Sequence, residues 1–218
     1  MKGWFKTESD TSRHSDKNGS LFVEEIISCS DGKYNPIRIF SSDQILKATN
    51  NFDANHIISH GRFIWYKGTI EERKALIKKW EGDHVFSPSA DNAHRDIAVL
   101  SMMSSHKNVL KLLGCCVEFV KPVIVCEYAD KGPLQLEDKD GTPLSWSARL
   151  KIGKEIANAV AYLHMAFPRI IINRDINPQN IFLDENGTAK LSSFCLSISI
   201  PEGESSVFDD KVFLWNIR

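Results

Sequence analysis

Residues 173–195 read NRDINPQNIFLDENGTAKLSSFC, and how this stretch divides fixes what can surround it. Within it, IFLDENGTAKL predicts two short strands around Asn186-Gly187, because glycine accepts the positive φ that a hairpin turn needs. Ahead of the hairpin lies a polar loop carrying Asp175 and Asn180. Before that loop, Ile152, Ile156, Val160 and Leu163 recur four, four and three residues apart behind Ser145, a candidate N-cap, and predict a long buried helix.

Working further outward, FSSDQILKATNNF predicts a helix start: Ser41 and Gln44 form a capping box, and Phe40 and Ile45 are placed for a hydrophobic staple. IWYKGTI and KALIKKW read as strands separated by charged turn residues. A helix follows from about Asn92 to Ser105, and then come the apolar strands LKLLGCCVE and KPVIVCEYA. The order is a small antiparallel sheet with one helix, then a helical region: an α+β chain without internal repeats.

Composition narrows the function classes. The chain has 218 residues, 42% hydrophobic, with a formal net charge of -1, which suits one large domain or two small lobes. The charge balance and the absence of a dense basic block argue against nucleic acid or an anionic membrane as the main partner. The five cysteines, Cys29, Cys115, Cys116, Cys126 and Cys195, show no C-x-x-C spacing, which disfavours a zinc site or a disulfide framework and fits a reducing compartment. No apolar run has the length of a signal-peptide core or a membrane span, and glycine stands at position 3 rather than 2, so a cytoplasmic protein without N-myristoylation is expected.

From about Ile57 to Ile200 the order of motifs resembles a protein kinase. KALIKKW resembles the V-A-I-K strand, which implies that Lys78 is the lysine that holds the α- and β-phosphates. INRDINPQNIFLD resembles the catalytic loop H-R-D-x-x-x-x-N, with Asp175 in the place of the catalytic base and Asn180 in that of a magnesium ligand. Glu127-Tyr128-Ala129 resembles the hinge, so Lys78, Glu127, Ala129 and Asn180 make up a vestigial nucleotide site. The departures carry equal weight. Ser193-Phe194-Cys195 stands where the family has D-F-G, so a neutral hydroxyl replaces the principal magnesium carboxylate. A loss of that kind costs at least about 3–4 kcal/mol of transition-state stabilisation, roughly a thousandfold in rate. Asn173 replaces the histidine of the loop and Asn177 its lysine, both losses of supporting chemistry. In ISHGRF, Ile58, His60 and Phe63 occupy the three glycine places, with Gly61 between them, so side chains bar close approach of the backbone to phosphate. A lone loop histidine such as His60 is read as solvated. The partner of the lysine is expected among RDIAVLSMM, where Asp96, one methylene shorter than the usual Glu, is the candidate.

FSSDQILKATNNF and KLLGCCVE resemble plant receptor-like kinases of the wall-associated type. Residues 18–206 are more similar still to the ZRK group of plant cytoplasmic pseudokinases. That resemblance implies a protein-kinase-like fold with a complete N-lobe and a partial helical C-lobe. Four regions are expected: a flexible start at 1–20, an N-terminal extension with short helices at 21–56, the N-lobe at 57–130 and a shortened C-lobe at 131–218. It implies an adaptor in innate immunity that needs no cofactor, binds ATP weakly if at all, and joins a ZAR-type nucleotide-binding leucine-rich-repeat receptor to receptor-like cytoplasmic kinases, through which it would reach the plasma membrane peripherally. The alternatives are a weak ATP-binding serine/threonine kinase and a truncated product with little function. The chain ends in VFDDKVFLWNIR where the family runs on, so the face of Ile152, Ile156, Val160 and Leu163 is expected to lack its covering helix. Partner contact is expected in LFVEEIIS, where Phe22 with Ile26 and Val23 with Ile27 share a helical face behind Ser20.

Overall fold

Alternation along one strand builds the centre of the molecule. In Arg73–Trp80 (β4), Leu76, Lys78 and Trp80 face one side and Ala75 and Ile77 the other, and the two sets lie in separate apolar clusters, with Lys78 among the first. Phe63–Ile70 (β3) pairs antiparallel with β4, so that Phe63 meets Trp80 and Trp65 meets Lys78 across the ladder. The two strands join through Glu71 and Glu72, both at positive φ, as a type I′ turn requires, although neither is the glycine or asparagine such turns favour. Glu71 pairs there with Arg38.

The computed structural model describes residues 15, 17–19, 37–80, 90–137 and 140–207. Phe22, Val23, Ile26, Ile27, Cys29 and residues 208–218 lie outside them. The sheet has six strands in the order β1-β5-β6-β4-β3-β2, where β1 is Arg38–Ile39, β2 Ile57–His60, β5 Leu112–Cys116 and β6 Val123–Glu127. The antiparallel sheet expected from the sequence is present in β2 to β6. β1, contributed by the expected extension, adds a parallel edge on β5. Glycine is required at that edge: a Cβ on Gly114 would collide with the Arg38 carbonyl and come 2.6 Å from Phe40 Cε2. Asn18 also joins the sheet, its side-chain amide donating to the Val117 and Phe119 carbonyls at 2.7 and 2.9 Å.

The short helix Ser42–Ala48 (α1) starts as read. Ser41 Oγ accepts from Gln44 N at 3.2 Å, Gln44 Oε1 accepts from Ser41 N at 2.9 Å, and Phe40 and Ile45 are buried together. Ala90–Met103 (α2) lies on the other face of the sheet and buries Asp96, Ile97, Leu100 and Met103. After β6 the chain enters the second lobe through Gly132–Pro133 (β7), the helix Trp146–Met165 (α3), Ile171–Ile172 (β8), Ile181–Leu183 (β9), Ala189–Leu191 (β10) and Ile198–Ser199 (β11). Ser145 caps α3, its Oγ accepting from Ala148 N. The β9–β10 hairpin turns at Gly187, φ +69°, while Asp184 Oδ1 accepts from the Asn186 and Thr188 amides.

Two expectations about α3 need correction. Ala159 takes the core position that the spacing assigned to Val160, which is only half-buried. The face of Ile152, Ile156 and Leu163 is not left open: it is buried in the core shared with β10 and β8. Polar contacts reinforce that seat, Glu155 Oε2 accepting from Ala189 N at 2.8 Å and Lys151 Nζ donating to the Gly187 carbonyl at 2.5 Å. The exposed large apolar side chains of α3 are instead Trp146 (72%), Leu150 (56%), Met165 (84%) and, least, Tyr162 (36%). Among the described residues no helix is long and apolar enough to cross a membrane.

Candidate functional site

Strand parity brings Lys78 to the inner face of the sheet, and helical spacing brings Asp96 to meet it. Lys78 Nζ lies 2.5 Å from Asp96 Oδ2, with both side chains at 0% exposure. Asp96 is the carboxylate that the sequence offered, and the geometry pairs it with the lysine. Its second oxygen accepts from Phe194 N at 2.7 Å, so one carboxylate ties the lysine strand to the Ser193-Phe194-Cys195 segment. Lys78 also donates to Ser193 Oγ at 3.2 Å and to the Ser192 carbonyl at 3.4 Å. Aromatic rings close the remaining approach. The Phe63 centroid lies 3.8 Å from Nζ, with Trp65 and Trp80 at 5.4 and 5.7 Å, a cation–π arrangement in a fully buried setting.

The polar loop is ordered by its own amides. Asn173, buried at the histidine place, accepts from Asp175 N at 2.8 Å and donates to the Ser193 carbonyl at 2.9 Å. Asn177 accepts from Gln179 N and donates to Asp175 Oδ1 at 3.0 Å, capping the turn Pro178–Asn180. Both asparagines, expected to remove support, thus hold the loop in shape through hydrogen bonds the amide group can make. Asn180 Nδ2 donates to the Asp175 carbonyl at 2.9 Å, and its own carbonyl accepts from Ser192 N and Oγ. Arg174, at φ +64°, donates to the Leu196 carbonyl at 2.7 Å.

Asp175 is nearly buried, and its carboxyl is pushed above the usual range because burial disfavours the charge, with the Arg62 guanidinium opposing that shift. Arg62 reaches it from the β2–β3 turn, Nη1 to Oδ2 at 3.3 Å. The turn and the loop approach so closely that a Cβ on Gly61 would stand 3.3 Å from Gln179 Oε1. Deeper in, Trp65 of β3 and Phe182 of β9 pack at a tilt of 59° with centroids 4.8 Å apart.

Lys78, Asp175 and Asn180 are therefore gathered at one cleft, together with Asp96 and Ser193. Glu127 turns to other partners, Lys190 at 2.9 Å and Lys111 N at 3.1 Å, and Ala129 is buried, its carbonyl accepting from Gly132 N. Sequence reasoning missed Arg62, Trp65 and Phe182 as elements of the cleft. The signal available was a cation and a bulky aromatic within ISHGRFIW, where the family pattern has glycines and a valine.

Magnesium-bound ATP is the cofactor that the fold implies, and these residues do not fit it. The Lys78 ammonium is enclosed by Asp96, Ser193 and Phe63. The hydroxyl of Ser193 accepts from the same ammonium, and among the described residues no three His, Cys, Asp or Glu side chains converge on a metal-sized site. The cleft bounded by Gly61, Phe63, Trp65, Asp175 and Asn180 holds about 140 Å³, below the roughly 300–1,000 Å³ of pockets that enclose small molecules.

Comparison with known proteins agrees with the architecture. The family model of protein tyrosine and serine/threonine kinases matches residues 55–214. The serine/threonine-protein kinase ZRK7 of Arabidopsis thaliana is 64% identical over 187 residues, 84% of this chain and 69% of that protein. Two further relatives from the same plant are the non-functional pseudokinases ZED1, 58% identical over 197 residues (89% of this chain, 58% of the relative), and ZRK2, 50% identical over 196 (87% and 55%). The chain thus spans from about half to just over two thirds of the length of these relatives. With the two lobes, the Lys78–Asp96 pair and the Asp175 loop in place, the chain belongs to the protein tyrosine and serine/threonine kinase family and, within it, to the ZRK group of plant kinases and pseudokinases.

Proposed function

We propose that this chain is a catalytically inactive pseudokinase that works as a binding adaptor in plant innate immunity, joining a ZAR-type nucleotide-binding leucine-rich-repeat receptor to receptor-like cytoplasmic kinases. The observation that carries the inactive reading is the Ser193 hydroxyl bound to Lys78, where phosphotransfer needs a carboxylate to place the metal. The Asp175 carboxylate, which would have to accept a proton from a substrate hydroxyl, is engaged by Arg62 and Asn177 instead. The names of the relatives ZED1 and ZRK2, non-functional pseudokinases, support the same reading. In this role the protein requires no cofactor and acts in the cytoplasm, reaching the plasma membrane only through its partners. Receptor contact is assigned to the face of Phe22, Val23, Ile26 and Ile27, on the strength of their i, i+4 spacing.

Two measurements test this. Radiolabelled ATP with magnesium or manganese should give no incorporation; incorporation that vanishes in Asp175→Ala would refute the inactive reading. Co-precipitation with a ZAR-type receptor should succeed and should weaken in Ile26→Asp with Ile27→Asp while circular dichroism is unchanged; failure of the native chain to co-precipitate would refute the adaptor reading. The competing reading, a weak serine/threonine kinase, draws on the intact Lys78–Asp96 pair and on the name of ZRK7. The same radiolabel assay separates the two.

A further inference from the structure

The misfit between this cleft and a nucleotide has a definite form: each place that a ligand would need is taken by a side chain of the chain itself. Phosphate oxygens reach the strand lysine from the side of the glycine-rich turn. Here that side is covered by Phe63, which stands at the third glycine place with its ring centroid 3.8 Å from Lys78 Nζ. Trp65, at the valine place two residues on, crosses between the lobes to pack tilted against Phe182 with centroids 4.8 Å apart, and both rings are almost fully buried. At the mouth, the Arg62 cation lies 3.3 Å from Asp175, on the oxygens that face the reacting centre in the family. These contacts join β2, β3 and the turn between them to β9 and the catalytic loop, segments more than a hundred residues apart in sequence.

We propose that the cleft is filled in cis, with Phe63, Trp65 and Phe182 taking the volume of a nucleotide and Arg62 the place of its cation, so that the two lobes are held closed without any ligand. Tilted aromatic packing and a partly buried ion pair replace metal–phosphate bridges, and a partner of the adaptor meets one fixed relation between the lobes whatever the nucleotide concentration. Exclusion is steric: ATP can bind only if Phe63 leaves Lys78 and Trp65 leaves Phe182. This goes beyond the pseudokinase reading, since a chain can bind ATP and still lack phosphotransfer.

The test is titration of the purified chain with a fluorescent adenine nucleotide, with magnesium and with a chelator, alongside thermal melts with ATP. The native chain should show no saturable binding and no change in Tm. The double variant Phe63→Gly with Trp65→Val should gain saturable binding and a Tm rise of roughly 2–4 °C at saturating ATP. Saturable binding by the native chain overturns the proposal, and without phosphate transfer it leaves the pseudokinase reading standing. A double variant that folds by circular dichroism yet takes no nucleotide also overturns it, because the aromatic side chains are then not what excludes the ligand. Should that variant fail to fold, Phe63→Ala with Trp65→Leu carries the same test, since it also removes both rings: binding supports the filled cleft, and its absence in the folded variant refutes it.

Discussion

Replacing Asp96 by alanine should be among the most damaging single changes in this protein. Lys78 and Asp96 are both at 0% exposure, with the ammonium 2.5 Å from the carboxylate. Once the carboxylate is gone, Lys78 keeps Ser193 Oγ at 3.2 Å, the Ser192 carbonyl at 3.4 Å and the Phe63, Trp65 and Trp80 rings, none of which carries a formal negative charge. An orphaned buried charge of this kind costs about 3–5 kcal/mol. The Phe194 N–H loses its acceptor as well, a further ~1–3 kcal/mol, and because one carboxylate serves both groups the sum is less than additive. A total of about 4–6 kcal/mol, set against the ~5–15 kcal/mol that holds a typical domain, leaves a marginal fold. Asp96→Asn, which keeps an oxygen for Phe194 N, should lie between alanine and the native chain. Lys78→Met with Asp96→Leu should come within about 1 kcal/mol of native, since an apolar pair fills the same space without desolvation. Urea unfolding followed by tryptophan fluorescence and circular dichroism reads all three. A cost below about 1 kcal/mol for Asp96→Ala would refute the reasoning, as would a double variant no more stable than the single one.

Asp175 sets a pH dependence. Burial raises its folded pKa above the usual 3.8, so its penalty is absent below that value and grows as pH rises through the folded pKa; the urea midpoint of the native chain should fall relative to Asp175→Asn over that window, and a pH-independent difference would contradict the assignment. Ile156→Ala, in the core beneath the β9–β10 hairpin, should cost about 2–5 kcal/mol, whereas Trp146→Gln with Leu150→Gln on the exposed face should cost within about 0.5 kcal/mol at each position, both read by urea denaturation. Gly114→Ala should undock β1 from β5 at a cost of about 1–3 kcal/mol, visible as new protease sensitivity near Arg38; unchanged sensitivity would mean that the edge relaxes around the added methyl.

Local signals carried much of this fold in the sequence. A capping box depends on residues three apart and a hairpin turn on one glycine, so Ser41 with Gln44 and Gly187 were readable from local sequence, as was the strand KALIKKW, although not which of its faces turns inward. The resemblance to kinase motifs likewise singled out Lys78, Asp175 and Asn180, and pointed to Ser193 as a hydroxyl where the family has a carboxylate. Long-range packing decided the rest. Whether Asp96 could reach Lys78 depended on how α2 sits on the sheet, and the cover of α3 depended on β8 and β10, which lie downstream of its apolar face. The filling of the cleft was hidden for the same reason. Phe63 read as a substitution in a degenerate loop, and Arg62 and Trp65 drew no reading at all; Phe63 meets Lys78 across the β3–β4 ladder, but only when β3 is laid over β9 do Trp65 and Arg62 meet Phe182 and Asp175, because side chains over a hundred residues apart acquire a shared volume through the tertiary fold alone.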